Sequence, residues 1–144
     1  QSPMNGLSLE LGLQPALGVK ARVALIRDVP SGEGVSYGHS FITARASRLA
    51  VVGIGYADGV SRALSNKISA LVDGRFVPQV GSITMDQLIL DITDYPQLEV
   101  GTIVTMLGPD GTEAISPKLW AEASGSIPWE VLCGFKNRLP RIVI

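Results

Sequence analysis

A mainly β fold is predicted: a small barrel-like β domain with one short helix near residues 117–124. Three observations carry that expectation. Apolar residues come in short runs, some alternating with polar ones at period two. Gly, Pro, Asp and Asn break those runs at close intervals. Only one stretch carries both a convincing helical start and a helical stop. Many short strands with frequent turns and little helix indicate a barrel or a sandwich.

The first dozen residues mix Ser, Pro, Gly and Asn with scattered leucines, and 1–12 is read as an arm leading into a single domain over 13–144. In Leu17 to Val29, Val19, Ala21 and Val23 share one face and Lys20 and Arg22 the other, which predicts a half-buried strand. Pro30-Ser31-Gly32-Glu33-Gly34 is a turn cluster. Val35 to Thr43 reads as a second strand. Leu49 to Tyr56 reads as a third, apolar enough to be buried on both faces.

Asp73-Gly74, between Ala70-Leu71-Val72 and Arg75-Phe76-Val77, supplies the positive φ angles of a tight hairpin. Leu88 to Ile92 and Thr102 to Leu107 are further strands, the latter closed by Gly108-Pro109-Asp110-Gly111. Ser116 can cap a helix, Pro117 suits its first position, and Gly125 can end it. Trp129 to Phe135 and Arg138 to Ile144 are read as two last strands, with Pro140 placing the final one at an edge or bulge.

A chain of 144 residues buries roughly two-thirds of its extended surface on folding, enough for a core without staples. Hydrophobic residues at 46% and charged residues at 17% describe a globular chain rather than a disordered one. A net charge of −1 gives no electrostatic reason to expect nucleic acid or an anionic membrane as partner. One cysteine, Cys133, and one histidine, His39, offer no metal-ligand spacing, so no metal is expected. The lone cysteine excludes an internal disulfide and fits a reducing, cytoplasmic setting. No apolar stretch approaches the ~18 residues of a membrane helix, and the start has no signal-peptide pattern. The chain opens at Gln1 rather than methionine and is read as a piece of a longer protein, or as tag-processed.

Three segments gather polar and flexible residues without obvious structural need: Val35-Ser36-Tyr37-Gly38-His39, Gly53 to Gly59, and Gly81 to Gln87. On spacing alone each is first read as structural. A tyrosine at a strand end commonly packs its ring and leaves its hydroxyl wet. Gly55-Tyr56-Ala57-Asp58-Gly59 can be a turn with an Asp cap, and Met85 can fill the core. His39 fits a partly exposed strand position, and Cys133 an unreactive core position.

Taken together and in order, these segments resemble the C-terminal domain of the alanine racemase family. The residues that carry the resemblance are Val35 to Gly38, Gly55 to Gly59 with Arg62, Val80 to Gln87, Trp129-Glu130, and Arg138 to Arg141. It runs from about Leu13 to the C-terminus. It implies a β domain that closes the active site of a partner subunit in a head-to-tail homodimer. The missing N-terminal barrel domain, to which residues 1–12 would connect, binds pyridoxal 5′-phosphate through a lysine.

The same resemblance implies roles for single residues. Tyr37 matches the tyrosine supplied across that interface as one of two bases in the interconversion of L- and D-alanine, the first step being proton removal from one face of the α-carbon. Met85 matches the residue whose backbone N–H approaches the substrate carboxylate, with Asp86 beside it. Tyr56 matches a tyrosine that narrows access to the substrate. Trp129 stands where the family often has a tyrosine whose hydroxyl reaches the cofactor phosphate; an indole can offer one N–H there. Ser82 stands where many members have an arginine. None of Lys20, Lys67, Lys118 and Lys136 has a cofactor-lysine context, so the chain alone is expected to be inactive. A serine or broad-specificity racemase domain, a non-catalytic β-barrel interaction module and the related decarboxylase architecture are the alternatives. The Gly-Tyr-Ala-Asp-Gly and Met-Asp-Gln segments argue against the last.

Overall fold

Period-two alternation near the start of the chain produces a strand long enough to serve two neighbours. In the computed structural model, which describes residues 15–144, β1 (Val19–Val29) pairs through its first half with β8 (Ile103–Asp110) and through its second with β4 (Ser47–Val52). Both pairings are antiparallel, with Arg22 opposite Ile103 and Val29 opposite Ser47. The register skips between Val23 and Leu25, a bulge that bends the strand at the changeover. Val19 and Val23 are buried and Lys20 and Arg22 exposed, as the alternation predicts.

From β4 the ladder continues to β7 (Leu88–Asp91), β6 (Arg75–Val80), β5 (Ser69–Val72) and β8, and so returns to β1. The result is a closed six-stranded barrel, which leaves no long open edge for other chains to pair with. A short hairpin, β2 (Gly34–Val35) with β3 (Phe41–Ile42), stands beside the barrel, and β9 (Glu113–Ile115) extends β8. The β5–β6 turn has Asp73 at φ 50° and Gly74 at φ 74°, the left-handed pair a tight hairpin needs.

Ala50, Val52, Ile54, Leu88, Leu90, Val104 and Met106 are fully buried inside the barrel. Helix α1 (Pro117–Ser124) ends at Gly125, which sits at φ 68° as a left-handed stop. Ser116 precedes it in extended conformation but makes no side-chain capping bond. The α1 side chain Trp120 is 1% exposed, with its ring 6.0 Å from that of Phe135.

Several expectations need correction. The expected strand Trp129 to Phe135 is instead a helix, α2 (Pro128–Cys133). Pro128 at its first turn and Gly134 at its end are the signals that marked α1, and apolar content outweighed them in the strand assignment. Cys133 is consequently exposed on a helix rather than packed in the core. Arg138 to Ile144 forms no strand; Pro140 lacks an N–H, and Ile142, Val143 and Ile144 are exposed. The expected strand Val35 to Thr43 is split by a single 3-10 turn at Tyr37–His39, because Ser36, Gly38 and His39 all have positive φ. The third strand runs Ser47–Val52 and stops short of Tyr56, which begins another 3-10 turn. The strand expected to end at Leu107 runs on through Gly108-Pro109 to Asp110. The arm expected over 1–12 and the domain start at 13 lie outside the described residues.

Candidate active site

The Tyr37 turn owes its shape to backbone that a strand cannot contain. Ser36 at φ 64°, Gly38 at φ 71° and His39 at φ 46° reverse the chain between β2 and β3. Tyr37 therefore projects outward, 76% exposed. The Ser36 hydroxyl donates to the Ser82 carbonyl at 2.6 Å, which fastens this turn to the loop after β6. His39 is exposed in the turn, not in a strand, and its ring lies against Gly34, where a Cβ would come within 2.4 Å.

The second and third segments are locked to each other. A Cβ on Gly55 would lie 2.2 Å from the Thr84 carbonyl oxygen, so only glycine admits this approach. The close packing lets the Tyr56 N–H donate to the Thr84 carbonyl at 2.9 Å and the Ala57 N–H to the Met85 carbonyl at 3.0 Å. Thr84 and Gln87 close the loop through the Thr84 N–H and the Gln87 carbonyl, 2.9 Å apart. Among the described residues no acceptor takes the Met85 N–H. Met85 itself is 52% exposed, which removes the core-filler reading.

Asp58 is 7% exposed and accepts the Gly55 N–H at 2.9 Å, fulfilling the expected cap of the Tyr56 turn. Arg138 approaches it at 3.3 Å through Nε and reaches Asp86 at 2.6 Å through Nη2. The hydrogen bond that Arg138 donates to Asp86, aided by the Asp58 charge, holds its guanidinium above its ordinary pKa.

These loops surround an open depression of about 580 Å³, lined by Tyr37, Tyr56, Arg62, Ser82, Met85 and Asp86 among others. Four residues singled out from the sequence, Tyr37, Tyr56, Met85 and Asp86, thus meet at one place. Trp129 does not line this depression; it lies on α2, 64% exposed. The Asp58–Arg138–Asp86 link and the Ser36–Ser82 bond escaped sequence reasoning. Arg138 had been noted only as part of a motif, and nothing local pairs it with carboxylates 80 and 52 positions away. No cluster of three or more His, Cys, Asp or Glu suited to a metal occurs among the described residues.

A closed six-stranded β barrel bearing a depression lined by Tyr37 and Tyr56 is the class of domain that the fold and site define. Residues 16–143 match the family model described as alanine racemase, C-terminal domain, and the chain belongs to that family. It is 67% identical over 143 residues to an alanine racemase of Prochlorococcus marinus, covering 99% of this chain and 37% of that protein. It is 53% identical over 140 residues to one of a Nostoc species, covering 97% and 36%. The solved alanine racemase of Bacillus anthracis with bound L-Ala-P superimposes with a TM-score of 0.88 at 38% identity, covering 100% of this chain and 37% of that one. The chain thus spans little more than a third of the length of the relatives it matches.

Proposed function

We propose that this chain is the part of a pyridoxal-phosphate-dependent alanine racemase that supplies one of two proton-transfer groups, the phenol of Tyr37. The observation that carries the reading is the outward display of Tyr37 at the rim of the depression, on a turn built from strained backbone. A residue retained for packing would bury its ring; this one offers it to whatever covers the site.

The lining residues fit the cofactor in a covering role. No lysine lines the depression among the described residues, which supports a reading in which the amine that carries pyridoxal phosphate comes from an N-terminal barrel domain. Pyridoxal phosphate, when bound, supplies the electron sink that makes the substrate's α-proton removable. The Tyr37 phenol oxygen then takes or returns that proton on one face of the α-carbon, opposite the lysine of the barrel.

Met85 offers its N–H to the substrate carboxylate, and Asp86 holds that loop through Arg138. Tyr56 narrows the depression beside Tyr37 and favours a side chain as small as methyl. The Trp129 indole N–H is this chain's candidate contact to the cofactor phosphate, and its exposure on α2 leaves it free to meet another domain. The exposure of the site supports its completion by a second subunit, hence a homodimer. The lone cysteine supports a cytoplasmic setting.

The test is Tyr37→Phe in the complete enzyme loaded with pyridoxal phosphate. Loss of one positioned proton-transfer group lowers kcat on the order of 10²–10⁴-fold. An unchanged rate overturns the reading and favours a β module without a chemical role.

A further inference from the structure

The Tyr37 ring is exposed, so what this chain itself contributes to placing the phenol is the setting of the tyrosine's backbone. A hydrogen-bond relay reaches the backbone on both sides of it. The Ser82 hydroxyl has a single proton, and it is given to the Tyr37 carbonyl at 3.0 Å. In the 3.2 Å contact between the Ser40 and Ser82 hydroxyls, Ser40 is therefore the donor. Ser40 in turn accepts from Nδ2 of Asn66 at 3.1 Å. The Asn66 side-chain oxygen accepts the N–H of Gly81, the neighbour of Ser82, at 2.6 Å, so the relay is anchored at its far end. From the other side, the Ser36 hydroxyl holds the Ser82 carbonyl.

The turn so gripped contains two non-glycine residues in left-handed backbone, Ser36 and His39, a conformation that persists only where the surroundings impose it. We infer that Ser82, with Ser40 and Asn66 behind it, is a positioning residue that fixes the Tyr37 phenol for proton transfer. Resting on the reading of Tyr37 given above, this assigns a task to the residue that follows Gly81. The short serine side chain reaches the tyrosine's own backbone.

The experiment compares Ser82→Ala, Ser82→Thr and Tyr37→Phe in the complete pyridoxal-phosphate-loaded enzyme. It reads kcat and KM for alanine, and backbone amide deuteration of residues 36–40 by mass spectrometry. Ser82→Ala is expected to lower kcat about tenfold with little change in KM, since a misplaced group affects proton transfer more than binding. It is also expected to speed deuteration of the turn. Ser82→Thr keeps the hydroxyl and restores both readouts. Wild-type kcat and deuteration in Ser82→Ala, beside an impaired Tyr37→Phe, overturn the positioning role and leave the reading of Tyr37 standing. Full activity of Tyr37→Phe overturns that reading and the inference with it, whatever the deuteration.

Discussion

Asp58, buried beneath the Tyr56 turn, meets Arg138 at 3.3 Å and so joins the C-terminal segment of the chain to the site. Through the same guanidinium the exposed carboxylate of Asp86 is tied to the buried one. The two carboxylates differ in surroundings, and their removal should differ accordingly.

Asp58→Ala strips the Gly55 N–H of its acceptor and leaves Arg138 with one partner. Loss of a cap of this kind costs about 1–2 kcal/mol, visible as a lower denaturant midpoint. Asp86→Ala removes only an exposed pair and should shift stability by less than about 0.5 kcal/mol. Equal destabilisation by both variants would contradict this account of the link.

Gly55→Ala drives a methyl group into the Thr84 and Met85 carbonyls, which are backbone and cannot swing aside. Forced repacking of this order costs about 1–3 kcal/mol and separates the Tyr56 turn from the Met85 loop. Thermal melting should register the first effect. Crystallography or amide exchange of residues 84–87 should register the second.

Trp120→Ala empties a site packed against Phe135 and should cost about 3–5 kcal/mol. Trp120→Phe is expected to cost less than about 1.5 kcal/mol, because it removes a buried indole N–H that has no hydrogen-bond partner among the described residues while keeping an aromatic ring. Chemical denaturation of the two variants separates these outcomes; comparable losses would contradict the expectation that an aromatic ring at this position retains most of the packing.

The barrel was legible where local chemistry leaves one choice. Asp73-Gly74 admits a tight hairpin and little else, and Pro117 with Gly125 brackets a helix. Failures came where two rules compete over few residues. Pro128 and Gly134 flank a helix likewise, although Gly134 at φ −68° is no left-handed stop; the apolar run between them also suits a strand, and six residues are too few to reveal the period. Around Tyr37 the opposite happened: Ser36 and His39 adopt left-handed backbone that their side chains do not advertise. At the candidate site, residue types and motif order pointed to Tyr37, Tyr56, Met85 and Asp86. The bonds that brace them, from Ser82 to Tyr37 and from Arg138 to Asp58, exist only after the barrel has brought distant loops together.

The seam of that barrel also dictates when the molecule can exist during its own synthesis. Lys20 finds its partner Thr105 only 85 residues later, so the first half of β1 leaves the ribosome long before the strand that will cover it. At about 5–20 residues per second this interval lasts several seconds or more, during which Val19 lacks its β8 neighbour, whereas Val23 can already meet Val52 of β4. Closure by such distant partners is slow. The newborn chain therefore keeps that half of β1 uncovered until β8 emerges, and a truncation before that point should yield a product prone to aggregate.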